Sequence, residues 1–497
     1  MTLRLLLVVM ICTLTATANE VIAQESAKGK AEPSGKHFTP AQQTAIADVA
    51  ARTKELAEVN KAIWTFAEVG LKETRSAGLL KDKLKSAGFD IKKDLAGMPT
   101  AFVASYGEGK PIIGILAEYD ALPGMSQKVS GTREAVIDGA AGHACGHSGL
   151  GTGALGAALA VKAAMEKHKL PGTIRLYGTP AEETVIGKVY MALEGHFDDL
   201  DVCLHWHPSS TNGAWAGSSK ALVSAKFTFH GISAHASVSP EAGRSALDAV
   251  ELMNTGANYM REHLKEDARI HYVITDGGGA PNVTPAKATV WYFVRADRHK
   301  DVEYNFGWLK DIAEGAAKMT RTKVTVQIDT DCHEVIPNMA LSQVIHGHME
   351  ALGPPTFEAD EQDFARRLQR PLTAEFGSTF AMAIDDRLQR IVSNPEPSKG
   401  STDVGDISWR VPTGGLRTTC MAAGSPGHSW QNVAAIGSSI GEKGIVYAAK
   451  SLAVTAIDLF EQPRLIAAAR ADWEERMKGR KYFSFIPKGQ KAPQAIR

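Results

Sequence analysis

The sequence predicts an α/β fold with two parts: a larger domain with a mainly parallel sheet flanked by helices, and a smaller α+β domain inserted into it. Two observations predict this fold class. Apolar runs typical of strands alternate with helical segments over residues 41–220 and again over 331–497, the pattern of a parallel sheet with crossover helices. Residues 221–330 instead follow the order β-α-β-β-α-β, which is typical of a small sheet with helices on one face.

The first part of the larger domain begins with helices and then alternates between strands and helices. Apolar residues recur at helical spacing from residue 41 to 88, and Gly88 is expected to end this region. We expect two strands from PTAFVASYG and PIIGILAEYDALPG, followed by an alanine-rich helix to about Lys169. Two further strands are predicted from GTIRLYGTPAEE and DVCLHWHP.

The inserted segment supplies four more strands and two long helices. Its predicted strands are ALVSAKFTFHG, RIHYVIT, KATVWYFVRA and TKVTVQID, and its helices are GRSALDAVELMNTGANYMREHL and YNFGWLKDIAEGAAKMT. After residue 331 the alternating pattern resumes with helices near 340 to 390. It ends with the strand GLRTTCMAAG and the helix GEKGIVYAAKSLAVTAIDLFE.

The composition is that of a globular protein with a large core. Of the 497 residues, 44% are hydrophobic and 22% are charged, which is ordinary for globular proteins. The 55 Lys and Arg residues balance the 55 Asp and Glu residues. Because the chain has no net charge, we do not expect nucleic acid as a partner.

The first 23 residues predict a secretory signal peptide, and residues 24–40 form a polar leader. Arg4 precedes an apolar stretch too short to span a bilayer, and small residues suited to cleavage follow, up to Ala23. We therefore expect export to the periplasm or the cell exterior, without membrane attachment after cleavage. A retained membrane anchor is the alternative interpretation.

Four cysteines follow the predicted signal peptide: Cys145, Cys203, Cys332 and Cys420. An even number in an exported chain is compatible with disulfides, but the spacings are wide and a chain of this size needs no covalent cross-links. Three of the four lie in apolar strand-like or turn-like segments, where buried thiols are expected. Cys145 differs from the other three because histidines flank it.

Polar side chains occur where four of the predicted strands end. These side chains are Asp120, Glu182, Glu183, His205, His207 and His428. Sites in open α/β sheets form beyond the carboxyl ends of the strands, so we expect these residues to meet Cys145 and His147 of the adjacent loop GHACGHSGLGTG. Thiolate, imidazole and carboxylate together suit zinc or a similar divalent ion better than calcium or magnesium.

The adjacent carboxylates Glu182 and Glu183 suit hydrolytic chemistry. One can bind a metal ion while the other acts as general base on water; an exposed acidic turn is the alternative. A nucleophilic Cys145 is a further alternative, but nearby carboxylates would raise the pKa of a thiol in the absence of a metal. The loop glycines favour close helix packing over phosphate binding, since no Gly-Lys-Ser/Thr motif follows. His143 is expected to hydrogen-bond within its loop and orient a ligand.

Seven motifs in order carry a resemblance to a known family: GHACGHSGLGTGALGAA, GTPAEE, HWHP, GISAHAS, GRSALDAVELM, STDVGDISW and GHSWQ. Together they resemble the M20 metallopeptidases of subfamily D, over about residues 45 to 490. The resemblance implies that residues 41–220 and 331–497 form a catalytic domain with a dinuclear metal site. It also implies that residues 221–330 form a lid that dimerises.

The resemblance implies roles for the residues that match its motifs. The implied metal ligands are Cys145, His147, Glu183, His428 and His207, with His205 as the alternative to His207. Glu182 resembles the general base, and His235 resembles the histidine that polarises the scissile carbonyl. Asn282 and Arg295 occupy positions of substrate contacts, while His143 and Asp120 are expected beside the ligands. Ser148 departs from the Asp or Asn of many members, so no role is carried over for it.

The implied function is that of a metal-dependent amidohydrolase. Its substrate would be a small N-acyl or aminobenzoyl amino acid with a free carboxylate, and its cofactor two divalent ions, zinc or manganese, with cobalt also considered. The implied partner is a second copy or a related subunit, bound through the lid. Dipeptide hydrolysis and a non-catalytic metal-binding or ligand-binding role are the alternatives. The presence of Glu182 favours an enzyme, because a degenerate member would often have lost the base.

Overall fold

The computed structural model describes residues 37–393 and 395–494 of the chain. The predicted signal peptide and most of the predicted leader lie outside the described residues. From Thr39 onward the chain folds as one unit. The helices are α1 (Pro40–Ala51), α2 (Thr53–Phe66), α3 (Thr74–Ser86), α4 (His147–His168), α5 (Gly187–Leu193), α6 (Ala246–Met260), α7 (His299–Thr320), α8 (Met339–Leu352), α9 (Ala359–Phe376), α10 (Val404–Ser408), α11 (Trp430–Ile436), α12 (Ser439–Glu461) and α13 (Pro463–Met477).

The strands form a seven-stranded sheet and a four-stranded sheet. They are β1 (Asp90–Lys93), β2 (Phe102–Glu108), β3 (Ile112–Ala117), β4 (Gly172–Gly178), β5 (Val202–Ser209), β6 (Gly213–Trp215), β7 (Ala221–His230), β8 (Arg269–Asp276), β9 (Lys287–Ala296), β10 (Lys323–Cys332) and β11 (Thr413–Thr419). The seven-stranded sheet has the order β1-β2-β4-β3-β5-β11-β6. Its four inner strands β4, β3, β5 and β11 are parallel, and the outer strands pair antiparallel. The short strands β1 and β6 were not predicted from the sequence.

The four-stranded sheet is antiparallel throughout, with the order β10-β7-β9-β8. The chain passes through it in the order β7, α6, β8, β9, α7, β10, so the β-α-β-β-α-β prediction is confirmed. Side chains such as Phe227 and Val290 share one apolar cluster with Val250 and Leu309 of the two helices. The helices therefore cover one face of this sheet.

Local sequence signals determine several helix ends. The Thr39 hydroxyl accepts a hydrogen bond from the Gln42 amide at 3.2 Å, and the Gln42 side chain accepts one from the Thr39 amide at 2.9 Å. This reciprocal cap satisfies donors that α1 would otherwise leave unpaired. The Ser438 hydroxyl caps α12 with a single hydrogen bond, which it accepts from the amide of Ile440.

The core of the seven-stranded sheet lies on both of its faces. On one face Ile115 and Trp206 pack in a cluster with α4 and α12, and on the other Leu116 packs with α5 and α10. A Cβ atom on Gly153 of α4 would lie 2.7 Å from the Trp206 ring, so this glycine permits close contact between helix and sheet. The predicted packing role of the loop glycines is therefore confirmed here, and α4 begins at the carboxyl edge of the sheet.

The cysteines form no disulfides among the described residues. Cys203, Cys332 and Cys420 are buried and free, as predicted, and Cys145 is also free. Among the described residues, none of the helices combines the length and the apolar character needed to cross a bilayer.

Candidate metal centre

Four parallel strands bring polar side chains to one edge of the seven-stranded sheet. Glu118 comes directly after β3, and Glu182 follows β4 by four residues. His207 lies near the end of β5, and His428 lies in the connection that follows β11. Because parallel strands present their carboxyl ends at the same edge, these residues meet the start of α4 and line a cavity of about 400 Å³.

The turn before α4 places Cys145 and His147 in this cavity region. Gly146 between them has φ +90°, a conformation that favours glycine, and a Cβ atom there would lie 2.9 Å from Pro208. The Cys145 Sγ atom lies 3.4 Å from His207 Nε2. The rings of His147 and His207 meet edge to face, with centroids 5.7 Å apart.

Carboxylates surround the fully buried His147 ring. Its Nδ1 atom lies 2.9 Å from Asp120 Oδ1, and its Nε2 atom lies 3.4 Å from Glu118 Oε2 and 3.7 Å from Glu182 Oε2. Although burial lowers the pKa of His147, Cys145 and Asp120 outweigh it and raise this pKa well above its ordinary value. The ring therefore lies in a strongly negative environment that would also attract a cation.

The two adjacent glutamates lie in a short strained turn, Glu182–Thr184. Ala181 before it has φ +58° and Val185 after it has φ +50°. Left-handed backbone at residues other than glycine costs about 1–3 kcal/mol each and occurs where the surroundings enforce it. As a result, the side chains of Glu182 and Glu183 point to different groups of residues.

Glu183 faces His428, while Glu182 faces Glu118. The Glu183 Oε2 atom lies 3.4 Å from His428 Nε2, and its amide donates to Asp120 Oδ2 at 2.9 Å. Burial, followed by the Asp120 carboxylate, raises the pKa of Glu183 to about 8. Burial and the Glu118 carboxylate raise the pKa of Glu182 well above its usual range.

The two histidines of β5 lie in different surroundings. His207 Nδ1 lies 2.7 Å from the Pro208 carbonyl, an arrangement that leaves Nε2 directed at Cys145. The His205 ring instead packs against Trp215, with centroids 4.9 Å apart. Burial lowers the pKa of His207 to about 4 and that of His205 to about 3, so both rings are neutral. Of these two histidines, His207 belongs to a metal-ligand grouping and His205 does not, among the described residues.

The residues fit a divalent metal centre. Three groups within the described residues bring their ligand atoms within 4.8 Å of one another: Cys145 with His147 and His207, Cys145 with Glu183 and His428, and Glu118 with His147 and Glu182. His147 Nε2, Glu118 Oε2 and Glu183 Oε1 are buried and have no hydrogen-bond partner among the described residues. Buried polar atoms are otherwise hydrogen-bonded in proteins, and this mixture of sulfur, nitrogen and oxygen donors suits first-row divalent ions.

A buried lysine beside the centre was not predicted from the sequence. Lys188 Nζ lies 2.7 Å from Glu118 Oε1 and 2.7 Å from Asp403 Oδ1, with all three side chains buried. Against the effect of burial, Lys188 and then His147 lower the pKa of Glu118. Glu118 could have been found from its place two residues before Asp120. No signal in the sequence marks Lys188, because its partner Asp403 lies more than two hundred residues away.

The remaining predicted residues differ in their distance from the centre. His235 and Asn282 are exposed and neighbour each other across an irregular pairing, in which the Ala236 amide donates to the Asn282 carbonyl. Neither is among the residues that line the cavity, whereas Arg295 of β9 is. The prediction that His143 hydrogen-bonds within its loop is wrong: the ring is buried, and its Nε2 atom pairs with the Ile63 carbonyl of α2 at 3.0 Å, because this helix packs against the loop. Within one chain, the structure therefore brings Arg295 to the centre but not His235 or Asn282.

Known proteins resemble the chain over most of its length. Residues 114–456 match the Peptidase family M20/M25/M40. The chain is 39% identical over 448 residues to one of the subunits of the p-aminobenzoyl-glutamate hydrolase of Escherichia coli, covering 86% of this chain and 93% of that protein. It is 29% identical over 442 residues to the Xaa-Arg dipeptidase of Mus musculus, covering 86% and 90%.

A solved structure shares the fold. A dinuclear metal-binding peptidase of family M20 from Bacillus subtilis superposes with a TM-score of 0.53 at 17% identity, covering 83% of this chain and 99% of that one. This likeness confirms the predicted fold class. The family match and the hydrolases and dipeptidases among the relatives confirm the predicted resemblance. The chain therefore belongs to the M20/M25/M40 peptidase family and is a hydrolase of amide bonds.

Proposed function

We propose that this enzyme hydrolyses the amide bond of an N-acyl or aminobenzoyl amino acid similar to p-aminobenzoyl-glutamate, with Glu182 as general base. The observation that carries the proposal is the cavity at the strand ends. It is lined by Cys145, Glu182, Glu183, His207 and His428 together, and the metal-ligand groupings also include His147. The E. coli relative named for this substrate covers most of the chain.

Two divalent ions, zinc or manganese, with cobalt as a further candidate, would occupy the centre. Cys145, Glu183 and His428 would hold one ion. The other ion would be held by the second grouping, in which His147 and His207 accompany the same Cys145. Ions bound there would supply Lewis acidity that polarises an amide carbonyl and lowers the pKa of water. The Asp120 carboxylate orients two of these residues, through His147 Nδ1 and the Glu183 amide.

Glu182 is the residue best placed to move a proton. It lies among Glu118 and His147 rather than at His428, so its carboxylate is separate from the one that Glu183 offers. Burial and Glu118 raise the pKa of Glu182, and the positive charge of bound ions would lower it again towards the range that suits a general base near neutral pH. Glu182 Oε would then pass this proton to the amide nitrogen that leaves.

His235 is proposed to polarise the scissile carbonyl, and Asn282 and Arg295 to contact the substrate. His235 and Asn282 lie outside the cavity of their own chain, so these roles require closure of the lid or a second chain. β8 forms an edge of the four-stranded sheet and exposes Tyr272, Val273 and Ile274. We propose that this sheet dimerises, either with a second copy or with a related subunit. The E. coli relative is named as one subunit of a hydrolase, which supports the second arrangement.

A substrate panel tests the proposed function. Metal-loaded protein should hydrolyse p-aminobenzoyl-glutamate or N-acyl amino acids, lose this activity with a chelator and regain it with zinc or manganese. Elemental analysis should give close to two ions per chain, and Cys145→Ala or His147→Ala should lose at least one. Active protein without bound metal would contradict the proposal. Dipeptides belong in the panel as the second candidate, because the mouse relative is named a dipeptidase.

Export remains a separate proposal, since its evidence lies in residues 1–23. We propose that the mature protein is periplasmic or secreted and begins after about residue 23. Cell fractionation and amino-terminal sequencing test this. Recovery of the intact amino terminus in the membrane fraction would favour the retained anchor.

A further inference from the structure

Arg417 occupies a position beside the candidate metal centre that no role described so far explains. It lies on β11 and is the register partner of His207 on the parallel strand β5. Side chains in register on neighbouring strands point to the same face of a sheet. Arg417 accordingly lines the same cavity as Cys145, Glu182 and His428.

The guanidinium of Arg417 has no counter-ion among the described residues. It stacks on the Trp215 ring, with Cζ 4.3 Å from the ring centroid. Burial lowers the pKa of Arg417, with no carboxylate acting against this effect. An arginine stays charged under these conditions. A largely buried charge without a partner is costly to maintain, which indicates that its partner comes from outside the protein.

Other arginines of the molecule contrast with Arg417. Arg175 pairs with Asp199 at 2.7 Å, and Arg410 pairs with Asp198 at 2.8 Å. The carboxylate of each pair is about half exposed, with 53% and 52% of its side-chain surface open to solvent. Arg417, in contrast to these two, has no carboxylate partner among the described residues, although it lies beside the candidate metal centre.

A second arginine reaches the same cavity from the other sheet. Arg295 of β9 donates from Nη1 to Ser401 Oγ at 3.2 Å, while its buried Nε atom has no partner among the described residues. Burial lowers the pKa of Arg295. The cavity therefore contains two guanidinium groups, one from each sheet. Bound metal ions would neutralise the carboxylates of the neighbouring centre, so these carboxylates would not serve as counter-ions for the two arginines.

We propose that Arg417 determines specificity for an acidic side chain, so that the substrate is an N-acyl amino acid with two carboxylates. This inference rests on the proposed function. Arg295 would receive the α-carboxylate, and Arg417 the side-chain carboxylate. The planar fork of a guanidinium matches a carboxylate with two parallel hydrogen bonds, and stacking on Trp215 holds the plane of Arg417 in place. A neutral amide in the same position leaves the charge of Arg417 unpaired.

The test compares two substrates that differ only in the charge of one side chain. p-Aminobenzoyl-glutamate and p-aminobenzoyl-glutamine are assayed with the metal-loaded enzyme. We expect kcat/KM to favour glutamate by roughly 10- to 100-fold, the range for a charge-assisted hydrogen bond whose loss leaves a buried group unpaired. Arg417→Gln should remove most of this preference by lowering kcat/KM for glutamate, with little change for glutamine.

Two further variants keep the test sharp. Arg417→Lys retains the charge without the fork and should show an intermediate preference, which also covers the case in which Arg417→Gln does not fold. Arg390→Gln removes an exposed arginine that borders the neighbouring cavity, which Arg417 also borders. This control should leave both the activity and the preference unchanged, and metal content should remain constant in all three variants.

The outcomes separate this inference from the proposed function. Equal loss on both substrates in Arg417→Gln, or no preference in the wild type, overturns the role of Arg417. Failure of the wild type to hydrolyse any amide in the panel overturns the proposed function instead. In that case, calorimetry with glutarate and glutaramate still tests Arg417. Glutarate should bind more tightly to the wild type, and Arg417→Gln should remove the difference; equal binding by the wild type overturns the inference.

Discussion

The two sheets of the molecule hold their polar residues in opposite ways. In the seven-stranded sheet, parallel inner strands are covered by helices on both faces, and the residues of the metal centre are largely buried at its edge. In the four-stranded sheet, α6 and α7 cover one face only, and β8 exposes most of its residues. His235 and Asn282 lie in this second region and are exposed.

This difference indicates which of the proposed site residues one chain brings together by itself. In the parallel sheet, Asp120 pairs with His147 Nδ1 and accepts from the Glu183 amide, so buried contacts within one chain hold two residues of the candidate centre in place, as a preorganised site requires. The antiparallel sheet brings Arg295 to the cavity but leaves His235 outside it. We infer that the first region fixes metal binding and proton transfer, and that the second region acts only after closure or association.

The largest effect is expected from the two adjacent glutamates. Glu182→Gln should lower kcat by about 10²–10⁴-fold, the usual contribution of a general base, while metal content and substrate binding are retained. Glu183→Gln should weaken metal binding, and added metal should restore part of its activity. Assays of both variants across a metal titration, with elemental analysis, measure this difference. If metal rescues Glu182→Gln and not Glu183→Gln, the two roles are exchanged.

A smaller effect is expected from His235, and it tests the second region directly. His235→Ala should lower kcat by about 10²–10³-fold, as for loss of one group that stabilises developing charge, without loss of metal. If a second copy of the chain supplies His235, mixing inactive Glu182→Gln and His235→Ala chains should restore about a quarter of wild-type activity. Half of the dimers are then mixed, and one of their two sites is intact.

The mixing result distinguishes association from closure. If the lid of the same chain supplies His235, no site in a mixed dimer contains both intact residues, and no activity returns. Size-exclusion chromatography of the mixture establishes that chains have exchanged. Equal loss of kcat and metal in His235→Ala alone would show a structural role.

The buried lysine tests the stability of the first region. Lys188→Met leaves Glu118 and Asp403 buried without their cation, and breaking such a buried pair costs about 3–5 kcal/mol. Urea unfolding should detect this loss. Lys110→Met is the matched control, since Lys110 pairs with Asp201 with 62% of the lysine side chain exposed, and such a surface pair contributes less than about 1 kcal/mol. Equal losses would mean that burial adds nothing to the pairing.

The smallest expected effect is a change with pH in the folding stability that Glu73 contributes. This buried carboxyl accepts from the Ala181 amide at 2.8 Å and from Thr100 Oγ1 at 2.9 Å. Burial, followed by Asp120, raises the pKa of Glu73 to about 8. The folded state then holds a proton that the unfolded chain releases, so the stability contributed by Glu73 is complete below about pH 4.5 and is lost as pH rises towards about 8.

Thermal unfolding measures this dependence. Between about pH 5 and pH 8, the Tm of the wild type should fall relative to that of Glu73→Gln, because the glutamine stays neutral throughout. Glu108→Gln, at an exposed site on β2, is the control and should follow the wild type. Parallel Tm curves for Glu73→Gln and the wild type would contradict the shift at Glu73.

The sequence indicated the centre because its residues lie near strand ends. Glu182, Glu183, His207 and His428 each stand at or after such an end, and parallel pairing makes those ends converge. Local patterns could not choose between His205 and His207, which lie two residues apart on β5. The distinction comes from Trp215 and Cys145, which contact these rings from other segments of the chain.

Residues that act through distant partners were not predictable in the same way. Lys188 looks like an ordinary helical lysine in the sequence, but in the fold Asp403, the residue before α10, lies beside it. Arg417 belongs to a strand that the sequence predicts, but only the register with His207 shows which way it points. The edge strands β1 and β6, with four and three residues, are too short to produce a periodic pattern.

The position of β11 has a consequence for the synthesis of the enzyme. This strand lies between β5 and β6, yet it follows them by about 200 residues. The sheet cannot be completed until nearly the whole chain has been made, and such distant pairings form slowly. His428, beyond β11, arrives later still. A chain released before about residue 430 would therefore carry Cys145 and Glu183 without His428, so binding of an ion by this grouping would distinguish finished molecules from truncated ones.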